Sequence, residues 1–266
     1  MPAPRLPERR VDDLGEVRPG EAATFKKTLF VFNDYRGDVF FFFNGAAPED
    51  KELMEAYYQR WSWAPDIPGP VFFLRDPMVG PKSGLRLAWY VGRPEDEPDT
   101  AFRSVFKTAR LRFPDARFVA FGSSGGGFAA IAAAIEGYAD VAVAINPQTD
   151  IRRYHRIHRD AFLARMGIDP ERPGAVEPAM ERRLSLIARG RGRHFKAEIH
   201  YHQNLDDRFH MKHHCQPFAA MITTGPAEVR ERVHFHYYDD PAGHSPPNRE
   251  RTLAILAGAL AASPRR

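Results

Sequence analysis

With 266 residues, 43% hydrophobic and 27% charged, the chain has the composition of an ordinary globular domain rather than a fibre or a disordered tract. Its one cysteine, Cys215, excludes an intramolecular disulfide and a cysteine-only metal site. No apolar run reaches the ~18 residues that span a bilayer, and the opening MPAPRLPERRVDDLGEV has no apolar leader core, so a cytoplasmic protein is expected.

In chain order, residues 1–20 mix Pro, Arg and acids without a period and read as a surface-laid or flexible lead-in. Thr28 to Asn33 and Val39 to Asn44 predict two strands, with the Gly-containing loop between them of hairpin length. The second is apolar on both faces, the mark of a central strand covered by helices. Pro48 to Tyr58 predicts a helix and Val71 to Leu74 a buried strand. Leu85 to Val91 alternates, as an edge strand or a ribbon crossing the face does, and Thr100 to Phe113 is an amphipathic helix.

Arg117 to Phe121 then predicts a strand, followed by a run of Gly and Ser and an Ala-rich helix. Val141 to Ile145 is another strand. Residues 151–194 interrupt the rhythm with helical pieces broken at Pro170, Pro173 and Pro178, as a cap or lid inserted into a core of residues 21–150 and 195–266 does. Ala197 to His202 and Val233 to Tyr238 resume the sheet, and Asn248 to Ala262 closes the chain as a helix. Alternating strands and helices predict an α/β fold, a mostly parallel central sheet with helices on both faces.

The chemistry concentrates in the turn Gly122-Ser123-Ser124-Gly125-Gly126, which fits G-x-S-x-G with Ser124 at its centre. A strand-to-helix turn this sharp strains the central residue and needs nearly bare positions two before and two after it. Centring on Ser123 would put Phe121 in the first of those positions, so Ser124 is the candidate nucleophile. A phosphate-cradling loop would require Lys followed by Ser or Thr, and a dinucleotide turn a second Gly two residues on; neither is present.

A serine nucleophile needs a histidine and an acid from the carboxyl ends of later strands. His244, in the loop between the last strand and the closing helix, is the one of eleven histidines in that position. Asp206 and Asp207 follow the preceding strand, and Asp150 is a third candidate acid. Gly125 and Ala46, with Ala47 next to it, are the expected backbone donors of an oxyanion hole. The pairs His200/His202 and His234/His236 read as strand core residues rather than metal ligands, and no cofactor signature is present. Charge is uneven: residues 151–194 hold eleven Arg, no Lys and five acids, +6 against +4 for the whole chain. That bias predicts an anionic ligand, and no nucleic-acid recognition motif accompanies it.

These residues resemble the α/β-hydrolase superfamily over nearly all of residues 28–262. More narrowly, the chain resembles small bacterial α/β-hydrolase proteins of capsule and surface-polysaccharide biosynthesis, including capsular O-acetyltransferases. The likeness rests on Phe42-Phe43-Asn44-Gly45-Ala46, Asp76-Pro77, Trp89-Tyr90, Gly122 to Phe128 and Asn146 to Asp150. It continues through Gln203-Asn204 with Asp207, His210, Pro217-Phe218 and Gly243 to Pro247. Asn44-Gly45 stands where His-Gly is common. The resemblance implies Asp207 as the acid, a small-molecule or saccharide ester as substrate, and Asn146, Gln148, Asn204 and His210 as residues lining its site. Three functions are compatible with it: an esterase or deacetylase, an O-acetyltransferase, and a non-catalytic scaffold in polysaccharide assembly.

Overall fold

The computed structural model describes residues 9–55 and 57–265. Eight strands form one sheet: β1 (Ala22–Phe25), β2 (Thr28–Val31), β3 (Asp38–Phe43), β4 (Val71–Leu74), β5 (Arg117–Ser123), β6 (Val141–Ile145), β7 (Glu198–Asn204) and β8 (Val233–Tyr238). Their order is β1-β2-β4-β3-β5-β6-β7-β8; the first two pairings are antiparallel and the other five parallel. The helices are α1 (Lys51–Glu55), α2 (Thr100–Arg112), α3 (Gly125–Ile135), α4 (Arg156–Arg165), α5 (Pro178–Leu184) and α6 (Leu186–Gly190). After β7 come α7 (Arg208–His210), a π-helical turn Met211–Cys215, α8 (Gln216–Thr223), α9 (Ala227–Arg230) and α10 (Arg249–Ala262). None of the described helices is long and apolar enough to cross a membrane.

Pleat alternation builds two cores. Phe41 and Phe43 of β3 and Ala120 of β5 face α2, α3 and α6, whereas Phe40, Phe42, Val119 and Phe121 face the opposite layer of α10 and the 3₁₀ turn Trp61–Asp66. The elbow helix α3 is buried along its whole length, and its alanines bring it close to the sheet. A side chain is affordable on both faces of β3 only because both are roofed.

Several expectations need correction. The loop after β2 is no hairpin, because β4 lies between β2 and β3. The hairpin is instead β1–β2, turning at Lys26-Lys27 with φ of 44° and 60°, a two-residue turn made without Gly or Asn. Leu85 to Val91 forms no strand; Trp89 and Tyr90 have φ of 53° and 60°, and the segment crosses the top of the sheet irregularly. Among the described residues, the helix expected from Pro48 is present as Lys51–Glu55, capped by Asp50, whose Oδ1 accepts from the Glu52 and Leu53 N–H groups.

Of the expected lead-in, residues 1–8 lie outside the described residues. The rest is pinned: Val11, Leu14 and Val17 are buried and Val11 N–H donates to the Thr24 carbonyl. In residues 151–194, Phe162, Leu163, Leu184 and Leu186 join the core that contains α3. Much of the arginine charge there is occupied within the protein. Arg152 pairs with Asp150 and Glu181, Arg156 with Asp160 and Glu171, and Arg189 with Asp99 and Glu136. Buried Arg183 donates to the carbonyls of Val91, Arg93, Pro94 and Asp96. These pairings account for part of the charge bias, and Arg165, Arg182 and Arg191 are not among them.

Candidate active site

Ser124 sits between β5 and α3 with φ 56° and ψ −123°, a conformation that strains any residue with a side chain. Sterics enforce the flanking glycines. A Cβ at Gly122 would lie 2.3 Å from the Gly126 carbonyl carbon, and one at Gly126 2.4 Å from the Phe43 carbonyl oxygen. The bend therefore lifts Ser124 Oγ out of the sheet at the start of α3.

Two later loops meet it there. Ser124 Oγ is 3.0 Å from His244 Nε2, and His244 Nδ1 is 2.8 Å from Asp207 Oδ2. Asp207 follows β7 and caps α7 through its own Oδ1, which accepts from the His210 N–H. Asp206 does not enter this arrangement, and Asp150 caps the 3₁₀ turn Ile151–Arg153 while paired to Arg152 at 2.8 Å. The loop bearing His244 is clamped from below. Asn204 donates to the Asp240 and Gly243 carbonyls at 2.7 Å, and Asn146 to the His244 carbonyl at 3.4 Å. Asn146 and Asn204, which the resemblance implied as residues lining the substrate, thus hydrogen-bond the backbone of the histidine loop.

The loop after β3 lies against the elbow: a Cβ at Gly45 would stand 3.8 Å from Ser124 Cβ. Gly45 N–H donates to Gln59 Oε1 and Ala47 N–H to the Arg86 carbonyl, whereas the Ala46 N–H has no acceptor among the described residues. Gly125, as the first residue of α3, has an N–H with no intrahelical acceptor and the helix dipole behind it. Tyr90 fixes the root of that loop: its hydroxyl accepts from the Asn44 N–H at 2.7 Å and donates to the Leu74 carbonyl at 2.8 Å. Tyr90 N–H in turn donates to buried Asp76, whose carboxyl burial raises to about 6. The Asp76-Pro77 and Trp89-Tyr90 motifs therefore hold the loop that presents Ala46.

Electrostatics favour one charge state. Burial would raise the Asp207 carboxyl, but hydrogen bonds from His210 and His244 outweigh it and hold it far below the usual range. Buried His210 is lowered to about 4, chiefly by desolvation. The carboxylate is thus ionised and His210 neutral near pH 7. Asp207, His210 and His244 bring ligand-type atoms within 4.8 Å of one another. Both rings, however, turn Nδ1 to the same carboxylate at 2.8–3.0 Å, a hydrogen-bonded set rather than lone pairs converging on a cation.

Sequence reasoning missed two contacts. Gln148 donates from Nε2 to Ser124 Oγ at 2.9 Å, and Arg60 donates to Ser123 Oγ at 2.8 Å with no carboxylate partner among the described residues. Gln148 carries no catalytic signature, and Arg60 lies in an irregular stretch with φ 65°. The four strand histidines stack on one another: His200 Nδ1 and His236 Nε2 are 3.2 Å apart, and burial lowers His200 to about 4 and His202 to about 3. Cys215 is buried and its thiol is pushed up to about 11.

This sheet order, with a strained serine after β5 and a histidine after β8, decides the architecture. The fold is that of the α/β-hydrolases. Among solved structures, the chain is similar to a variant of the capsule O-acetyltransferase of Neisseria meningitidis serogroup A in complex with CoA. The match has 13% identity and a TM-score of 0.64, covering 89% of this chain and 93% of that one. An S-formylglutathione hydrolase from Agrobacterium tumefaciens matches at 15% identity and TM-score 0.52, with 82% of each chain covered. A putative dipeptidyl aminopeptidase IV from Bacteroides ovatus matches at 12% identity and TM-score 0.60, over 89% of this chain and 34% of that one. No family model matches the chain, and no curated protein matches it in sequence.

Proposed function

We propose that this α/β-hydrolase is a serine-dependent acyl-transfer enzyme, acting as an esterase or deacetylase on a small or saccharide ester. Ser124 is the nucleophile, His244 the general base and then acid, and Asp207 the acid that orients His244 and stabilises its imidazolium. The N–H groups of Gly125 and Ala46 receive the oxyanion. One observation carries this reading: the 3.0 Å and 2.8 Å contacts linking Ser124, His244 and Asp207 join three chain segments at a residue with a strained backbone. Turnover of p-nitrophenyl acetate by the full chain, lost in Ser124→Ala, tests it. Turnover unchanged in that variant removes the reading, and absence of any labelling by a fluorophosphonate favours a non-catalytic scaffold.

A second reading, an O-acetyltransferase in surface-polysaccharide biosynthesis with a phosphate-bearing thioester as donor, is favoured by a basic cavity. It encloses about 710 Å³ and is lined by Lys27, Arg75, Lys82, Arg93 and Arg165 against Glu95 alone. Glu95 pairs with Arg93, and the other four cations have no carboxylate partner among the described residues. Arg75 and Val79 also line a smaller cleft with Asn44, Gly45 and Ala47, so the cavity adjoins the loop of Ala46. The volume suits a nucleotide-sized ligand, and the capsule O-acetyltransferase above was solved with CoA. Consumption of acetyl-CoA that depends on an added glycan acceptor selects this reading; hydrolysis indifferent to acceptor selects the esterase.

A further inference from the structure

Gln148, just beyond β6, is completely buried, and its amide lies among three partners. Trp89 Nε1 is 3.1 Å from its Oε1. An indole N–H only donates, so Oε1 is the accepting end and the NH₂ group faces the other way. That NH₂ group lies 2.9 Å from Ser124 Oγ and 2.9 Å from His210 Nε2. An amide NH₂ has two hydrogens and accepts nothing, so both neighbours must accept. His210 Nε2 is therefore unprotonated, and its Nδ1–H donates to Asp207 Oδ1 at 3.0 Å. Ser124 Oγ accepts from Gln148, which leaves its own hydrogen to point at His244 Nε2. Asp207 thus anchors two branches that converge on one oxygen: His244 directly, and His210 through Gln148.

The two branches have different proton chemistry. His210 is buried and held to about 4, so it stays neutral while His244 shuttles the proton in the proposed mechanism. It faces His244 face to face, with Tyr154, His155 and His214 also packed around it.

Building on the proposed serine mechanism, we infer that Gln148 is a further catalytic residue, donating a hydrogen bond to the nucleophile oxygen, and that His210 and Trp89 position its amide. In acylation the Oγ–acyl bond forms as the hydroxyl proton moves to His244; the bond to the leaving group then breaks, and His244 returns the proton to it. In deacylation an acceptor hydroxyl or water adds to the acyl carbon and gives its proton to His244. The acyl–Oγ bond breaks, its electron pair goes to Oγ, and His244 protonates that oxygen. Gln148 transfers no proton at any stage. It directs the hydroxyl hydrogen before attack, and it stabilises the negative charge that grows on Oγ as the acyl group leaves.

The test is pre-steady-state hydrolysis of p-nitrophenyl acetate by the full chain, whose burst reports acylation and whose linear phase reports deacylation, with circular dichroism to check folding. Gln148→Ala is expected to slow the linear phase by about 10- to 100-fold, the range for a hydrogen bond to a charged group. His210→Phe, which keeps a flat ring but removes both hydrogen bonds, is expected to slow it in the same direction. The isosteric Gln148→Glu adds a signature that a structural role lacks: its carboxylate form cannot donate, so activity falls with rising pH where the wild type is level. Equal burst and linear rates in Gln148→Ala and wild type, or a Gln148→Glu profile that superposes on wild type, overturn the inference. A wild type that shows no burst and no fluorophosphonate adduct on Ser124 instead overturns the serine mechanism on which it rests.

Discussion

The imidazoles of His210 and His244 stack with centroids 3.9 Å apart and planes 11° from parallel, and both turn Nδ1 to the carboxylate of Asp207. One acid therefore orients two rings of different fate. His244 is partly exposed at the mouth of the site and His210 is sealed beneath it.

Asp207→Asn should damage both branches at once. The amide can offer an N–H where the histidines need an acceptor, so His244 takes the wrong tautomer, and turnover should fall roughly 10⁴-fold. Asp206→Asn should stay within about twofold of wild type. Steady-state kcat on p-nitrophenyl acetate decides between them; equal losses would take Asp207 out of its role.

Gly122→Ala should be poorly tolerated. Its methyl would meet the Gly126 backbone at 2.3 Å, and backbone cannot swing aside as a side-chain end does. Overpacking of this kind costs about 1–3 kcal/mol, and strain at the elbow adds to it. The midpoint of urea unfolding should drop accordingly, and an unchanged midpoint would show that the bend is looser than described.

Stability should decline on acidification. Burial keeps His200, His202, His210 and His214 from charging: about 4, about 3, about 4 and well below the ordinary value, respectively. The unfolded chain protonates these groups near 6.5, so from there down to about 4 it binds protons that the folded protein refuses. Each histidine adds up to about 1.4 kcal/mol per pH unit to that slope. Asp76, raised to about 6, works in the opposite direction over the same window but is a single group. Tm at pH 5 should lie below Tm at pH 7.5. The gap should narrow in His202→Leu, because His202 Nε2 is buried with no partner among the described residues.

Arg165→Glu places an acid on the wall of the basic cavity. If a phosphate-bearing donor binds there, KM for acetyl-CoA should rise by about tenfold more than KM for uncharged p-nitrophenyl acetate, through loss of one charge-assisted contact and gain of a repulsion. Equal changes for the two substrates would remove the cavity from donor binding.

Much of this was legible in the residues. Ser124 and the bare positions around it follow from steric demands that leave a local mark in sequence, whereas His244 was read from its place after the last strand and Asp207 only from the resemblance. Spacing could not separate Asp206 from Asp207; Asp207 closes the first turn of α7 and lies 2.8 Å from His244 Nδ1, whereas Asp206 makes no such contact. The β1–β2 hairpin escaped notice because its turn is Lys-Lys, held in left-handed backbone by the strands rather than by Gly or Asn. Trp89 and Tyr90 alternate like a strand, yet Asp76 and the ends of β3 and β4 draw them into an irregular crossing. The arginines of residues 151–194 were legible as charge but not as partners, since their acids come from as far away as Asp99. Gln148 was legible only as a site-lining residue implied by the resemblance; its contact with Ser124 Oγ was not, because it depends on Trp89, Ser124 and His210, distant in the chain.

The most direct measurement is the intact mass of the full chain after reaction with a fluorophosphonate, followed by peptide mapping. Wild type should gain one adduct, located on the peptide containing Ser124, and Ser124→Ala should gain none. An adduct that persists in Ser124→Ala, or a wild type that gains none while folded, would contradict a serine nucleophile at the elbow.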